Sequence, residues 1–190
     1  MYILESHNLG YIAHPKTASS STQRVVRDLG GQLYGSHHDA EERWCRPILD
    51  AGGIIMSTVR NPYDLLVSWY FHYKARRGTQ ANDMESFKVW LPQQLGSPNQ
   101  YIRKGLFFGL PWTNRVLRYE HLQTDLNAVL VEVGLAPVTL EQVNVSTHRE
   151  GRRYQEMYDP TLITLVRYHF GDLLTEHGYS FEGRHGKTHS

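Results

Sequence analysis

Six consecutive residues, Ile54 to Val59, read Ile-Ile-Met-Ser-Thr-Val, between Gly52-Gly53 on one side and Arg60-Asn61-Pro62 on the other. A short apolar run bounded by turn residues, without the polar alternation of a half-solvated strand, suits a parallel strand covered on both faces. Asn61 can cap a following helix and Pro62 can start it, because the N–H that proline lacks has no partner at that position. A strand covered on both faces needs helices on both faces, so the run selects an α/β architecture.

The same order recurs along the chain. Leu9 to His14 is a second strand, followed by a loop and then by Val25, Val26 and Leu29 at helical spacing, which Gly30 and Gly31 end. Gln32 to Tyr34 is a short strand, and Asp39 is placed to cap a helix over Ala40 to Leu49. Pro62 to Lys74 is predicted helical, with Leu65, Leu66, Trp69, Tyr70 and Tyr73 on a broad apolar face and Asp64, Ser68 and His72 on another line. Asn82 to Leu91 is a further helix, with Glu85 completing a capping box, and Pro98 to Pro111 is an irregular aromatic connection. Arg115 to Tyr119 is a strand, Leu122 to Val133 a helix closed by Gly134, and Asp159-Pro160 opens a last helix to about Glu176. Strands alternating with helices predict a three-layer α/β domain with a mostly parallel central sheet, spanning residues 1–181, with 182–190 a polar tail.

Composition narrows the function. Twenty basic against nineteen acidic side chains give a net charge of +1, without the broad positive field of a general nucleic-acid binder. The lone Cys45 forms no intramolecular disulfide, and neither an eighteen-residue apolar run nor a charged-then-apolar leader is present. The expectation is a cytoplasmic protein with no membrane and no nucleic-acid partner. Neither HExxH nor Cys/His ligand spacing occurs, so no metal is expected.

Two segments carry the chemistry. Pro15, Lys16, Thr17, Ala18, Ser19, Ser20, Ser21 and Thr22 place an ammonium, several hydroxyls and the free amides of a helix start around one point, which favours an oxyanion. The order differs from GxxxxGK[ST], because Lys16 comes first and no glycine is present. Taken alone, the loop also reads as a serine-rich helix cap with a solvated lysine. The second segment puts Arg60 at a strand's carboxyl end and Ser68 two turns along the next helix. If the two strands are neighbours, Arg60 can fork onto a second phosphate while Ser68 donates to it.

Together the PKTASSST loop and the R-NP-D-L-VS-WY pattern resemble the 5′-phosphosulfate and 3′-phosphate loops of sulfotransferases that use 3′-phosphoadenosine 5′-phosphosulfate (PAPS). Leu117 to Leu135 and the closing stretch from Met157 to Phe181 are similar to that family as well, and the PKTAS lead-in looks closest to the glycan O-sulfotransferases. The resemblance implies a P-loop-like fold and transfer of a sulfuryl group to an acceptor hydroxyl, a saccharide among the candidates, with 3′-phosphoadenosine 5′-phosphate (PAP) as product. It implies that Lys16 touches the bridging and 5′-phosphate oxygens, that Thr17 to Thr22 supply loop amides and hydroxyls, and that Arg60 and Ser68 hold the 3′-phosphate. Arg149, Arg152 and Arg153, around Gly151, stand where a later basic loop of the family folds over the cofactor.

A neutral imidazole suits removal of the acceptor's proton. His37 and His38 follow the short strand, and Gly35, Ser36, His37, His38 and Asp39 match the setting of a catalytic histidine in the glycan enzymes, with His37 at the key position. Adjacent residues leaving a strand point to opposite sides, so one imidazole faces the cofactor, and His38, Glu41 or Glu42 are the alternative bases. Other histidines, His14 among them, read as structural or solvated. Two other classes fit parts of the pattern: a P-loop nucleotide kinase, which would need Mg²⁺, and a non-catalytic module that keeps a PAP or phosphate pocket.

Overall fold

A computed structural model describes residues 1–36, 40–76, 84–96, 109–141 and 152–184. In chain order the strands and helices are β1 Tyr2–Leu4, β2 Leu9–Ile12, α1 Ser19–Asp28, β3 Gln32–Leu33, α2 Glu42–Asp50, β4 Ile54–Val59, α3 Pro62–Arg76, α4 Met84–Gly96, β5 Arg115–Arg118, α5 Leu122–Glu132, α6 Pro160–Glu176, β6 Tyr179–Ser180 and β7 Gly183–Arg184. They gather into two compact units, one of Met1–Arg60 with Leu106–Val145 and one of Asn61–Gly105 with Ser146–Ser190. None of the described helices is long and apolar enough to cross a membrane.

The first unit is an open α/β sheet in the order β3-β1-β2-β4-β5. β2, β4 and β5 pair in parallel, and β1 runs antiparallel to both β2 and β3, so four of the five strands point the same way. The strand at Tyr2–Leu4 was not expected from the sequence. Three residues carry too little periodicity to register, and Tyr2–Leu4 is defined by its ladders to Leu9–Tyr11 and Gln32–Leu33.

Side-chain alternation divides the core between the two sheet faces. Leu9, Tyr11, Ala13, Ile54 and Met56 join Val26 of α1 and Leu122, Leu126, Val129 and Leu130 of α5. Ile3, Ile12 and Ile55 face the other way and join Cys45 and Ile48 of α2. Helices therefore cover both faces of this sheet, and all six residues of β4 are buried, as its unbroken apolar run demands.

Several boundaries shift. α2 starts at Glu42 instead of Ala40, with Glu41 at its N-cap, and Asp39, the expected cap, lies outside the described residues. The helix expected over Asn82 to Leu91 is observed as Met84–Gly96 and continues through Pro92. Phe87, Leu91 and Leu95 repeat every four residues and are buried, so apolar burial outweighs the backbone hydrogen bond that Pro92 removes.

The second unit has an aromatic core. Tyr63 meets Tyr158 and Phe181 edge to face at 5.4 and 5.2 Å, and Tyr70 meets Phe87 at 5.2 Å. Asn61 caps α3 through Oδ1, which accepts from the Tyr63 amide at 3.1 Å, and its Nδ2 donates to the Ser180 carbonyl at 2.8 Å. α6 is capped by Asp159 and kinks at Phe170, next to Gly171. Where a polar tail was expected from residue 182, Gly183–Arg184 pairs back onto Tyr179–Ser180, and residues 185–190 lie outside the described residues.

Candidate functional site

β2, β4 and β5 are parallel neighbours, so the residues that follow Ile12, Val59 and Arg118 share one sheet edge. The condition set by the sequence, that the strands leading to Lys16 and Arg60 be adjacent, is met. From β2 the chain passes through α1 to β3 on one side of the sheet order, whereas β5 lies beyond β4 on the other. Open α/β sheets bind ligands outside the strand carboxyl ends where the order reverses in this way.

The loop at that edge is strained. Lys16 and Ala18 have φ of 62° and 58°, left-handed values in residues that carry a Cβ. Each costs about 1–2 kcal/mol, a price met at sites where the backbone has a task. Thr17 between them keeps a negative φ. Alternating signs of φ turn successive N–H groups toward a common side and form a concave donor array for anions.

α1 begins at Ser19, earlier than the sequence suggested, and its N-cap Ala18 offers no side-chain acceptor. The Ser21 and Thr22 amides donate to the Ala18 carbonyl at 3.1 and 3.4 Å. Among the described residues, nothing accepts from the amides of Lys16, Thr17, Ala18, Ser19 and Ser20.

Lys16 and Arg60 are brought together. The buried Arg60 donates from Nη1 to the Lys16 carbonyl at 2.8 Å, and its guanidinium carbon stands 4.0 Å over the Tyr119 ring. The Lys16 ammonium is half-buried and titrates below its ordinary value, first because burial disfavours its charge and second because Arg60 repels it. An anion placed against the loop relieves both effects.

His14 fixes the base of the loop. It is fully buried, with Nδ1 3.2 Å from the Thr58 carbonyl and Nε2 3.3 Å from the Gly109 amide nitrogen. A carbonyl can only accept and an amide N–H can only donate, so the ring is neutral with its proton on Nδ1. The Thr17 hydroxyl donates to the His14 carbonyl at 2.8 Å. A Cβ on Gly109 would lie 2.4 Å from Ile12 Cγ2 and 3.2 Å from His14 Nε2, so only glycine allows this approach. Of the two readings the sequence allowed for His14, structural or solvated, its burial excludes the solvated one.

The remaining hydroxyls of the segment are dispersed. Thr17, Ser21 and Thr22 are buried, Ser19 is half-buried and Ser20 is exposed. The Tyr11 hydroxyl, Thr22 Oγ1 and Thr58 Oγ1 are buried neighbours, and among the described residues none of the three has a hydrogen bond of good geometry. Burial pushes the Tyr11 phenol from 10.0 up to about 12, although the neighbouring Thr58 and Thr22 hydroxyls pull the other way. The stability linked to this group is therefore complete below about pH 10 and is lost as pH rises through about 12, about 3 kcal/mol in all. In an alkaline absorbance titration, one of the twelve tyrosines should ionise only near pH 12 or with unfolding, and uniform ionisation near pH 10 would contradict this burial.

Ser68 and Arg152 belong to the second unit. Ser68 is buried rather than on an open face, because Val67 and Phe71 are buried along with Leu65, Leu66 and Tyr70, so α3 is covered on more than one side. Arg152 is exposed. The carboxylates of Glu41 and Glu42 are paired with Arg43 and Arg46 at 2.8 and 2.7 Å. His37, His38 and Arg149 lie outside the described residues. β1 stands between β3 and β2, which sets Leu33 two strand spacings, about 10 Å, from β2.

Tyr119 is the site residue the sequence did not single out. Its signal was its place at the carboxyl end of the strand beside the one that delivers Arg60, and that adjacency is set by tertiary structure. Comparison with protein-family models, curated proteins and solved structures finds no match.

Proposed function

We propose that this chain is a PAPS-dependent sulfotransferase of P-loop-like fold, acting without a metal on a hydroxyl acceptor such as a saccharide. One observation carries the reading. The five amides from Lys16 to Ser20 lie on a loop with left-handed turns at Lys16 and Ala18 and on the first turn of α1, and the lysine is backed by Arg60 at the edge where the strand order reverses. This supports a dianion at the Lys16 loop and a second anionic group within reach of Arg60, the two ends of PAP. Ser68, Arg149 and Arg152 are assigned to the cofactor by the resemblance alone.

In the proposed reaction the acceptor oxygen attacks sulfur in line, the bond from sulfur to the bridging phosphate oxygen breaks, and the sulfuryl group moves to the acceptor. His37 takes the hydroxyl proton, and Lys16 with the loop amides offsets the charge that develops on the leaving phosphate oxygen. A cytoplasmic setting, with PAPS supplied in solution, fits this reading.

Calorimetric titration with PAP and with ATP plus Mg²⁺ tests the cofactor. PAP should bind more tightly, and Arg60→Ala should weaken PAP about 10- to 100-fold, the worth of charge-assisted hydrogen bonds. Preference for ATP would favour a kinase. PAP affinity without transfer of labelled sulfate to any hydroxylated acceptor would favour a non-catalytic module.

A further inference from the structure

We propose that Tyr119 is a positioning residue that holds Arg60 against the Lys16 carbonyl, so that Arg60 shapes the 5′-phosphate loop as well as reaching toward the 3′-phosphate. This rests on the reading above. The Tyr119 ring lies under the guanidinium at 4.0 Å, and Nη1 of the same guanidinium donates to the Lys16 carbonyl at 2.8 Å. A guanidinium lying on an aromatic face has its plane set, and with it the direction of its N–H fork.

That fork reaches a residue in left-handed conformation, which persists only where its surroundings over-determine it. A charged donor on the Lys16 carbonyl is such a constraint. Tyr119 follows β5, Arg60 follows β4 and Lys16 follows β2, three adjacent parallel strands, so the contact runs across the whole edge. Removing the ring frees the guanidinium to turn away and removes a support of the loop.

The consequence separates this arrangement from a simple phosphate contact. If Arg60 acted at the 3′-phosphate alone, a nucleotide lacking that group would be indifferent to Tyr119. Binding of PAP and of adenosine 5′-monophosphate should be compared in the unmodified chain, in Tyr119→Leu and in Tyr119→Phe. Tyr119→Leu should weaken both ligands about two- to thirty-fold, the range of a cation–π contact, and Tyr119→Phe should keep both within about twofold.

Arg60→Lys supplies a second variant should the leucine variant not fold. Its ammonium keeps the charge but cannot donate to Lys16 and lie flat on Tyr119 at once, so adenosine 5′-monophosphate should weaken there too. Unchanged affinity for adenosine 5′-monophosphate in either variant, or a phenylalanine variant as weak as the leucine one, overturns the inference while PAP binding by the unmodified chain preserves the functional reading. Failure of the unmodified chain to bind either nucleotide defeats both.

Discussion

Lys16→Ala should lower sulfuryl transfer by about 10²- to 10³-fold, the loss that follows removal of one preorganised donor from a developing oxyanion. The effect should fall on turnover more than on PAP affinity, because charge on the bridging oxygen grows as the sulfur–oxygen bond breaks. On the proposed reading the amides from Lys16 to Ser20 would remain in the variant and would still hold the ground-state phosphate. Proton coupling provides an independent measure. Burial, and then the Arg60 charge, hold the Lys16 ammonium below its ordinary 10.5, and a bound phosphate draws it back up. PAP binding should therefore take up a proton in alkaline solution, and affinity should fall as pH rises through the depressed value. Calorimetry in buffers of different ionisation heat reads that uptake, and Lys16→Ala should abolish it. A variant with full turnover would remove Lys16 from the chemistry.

The second large effect is expected at His37. His37→Ala should reduce turnover about 10²-fold or more and leave PAP affinity intact, since a general base acts on the acceptor's proton and not on the cofactor. β3 points the same way as β2, and His37 itself lies outside the described residues. In the unmodified chain turnover should fall on the acid side as the imidazole gains its proton, and the variant should lose that limb. Unchanged turnover in His37→Ala would move the role to His38. Glu41 and Glu42 stay as further alternatives, since their pairs with Arg43 and Arg46 are exposed surface ion pairs of little strength.

The legible parts of the fold were those with local causes. β4 was read in full because a run of four apolar residues and two small hydroxyls between two glycines and a capping Asn-Pro leaves little alternative. β1 was not read, since its three residues acquire meaning only through partners at residues 9–11 and 32–33. α4 was read short because Pro92 argues locally against helix, and only the burial of Leu95 explains the extension.

The site divides in the same manner. Lys16 and Arg60 are singled out by residue type and strand–loop–helix context, and the structure brings them together. The left-handed turns at Lys16 and Ala18 escaped notice, because neither residue is the glycine that signals such a conformation. Tyr119 and the Gly109 latch on His14 arise from contacts across strands and connections, which no linear spacing encodes.

A crystal structure grown with PAP interrogates the central claim most directly. The 5′-phosphate should sit on the amides of Lys16 to Ser20 beside the Lys16 ammonium, with Arg60 reaching the 3′-phosphate while it still donates to the Lys16 carbonyl and rests on Tyr119. A nucleotide seated away from this edge, or a loop that keeps those amides clear of its phosphates, would contradict the account.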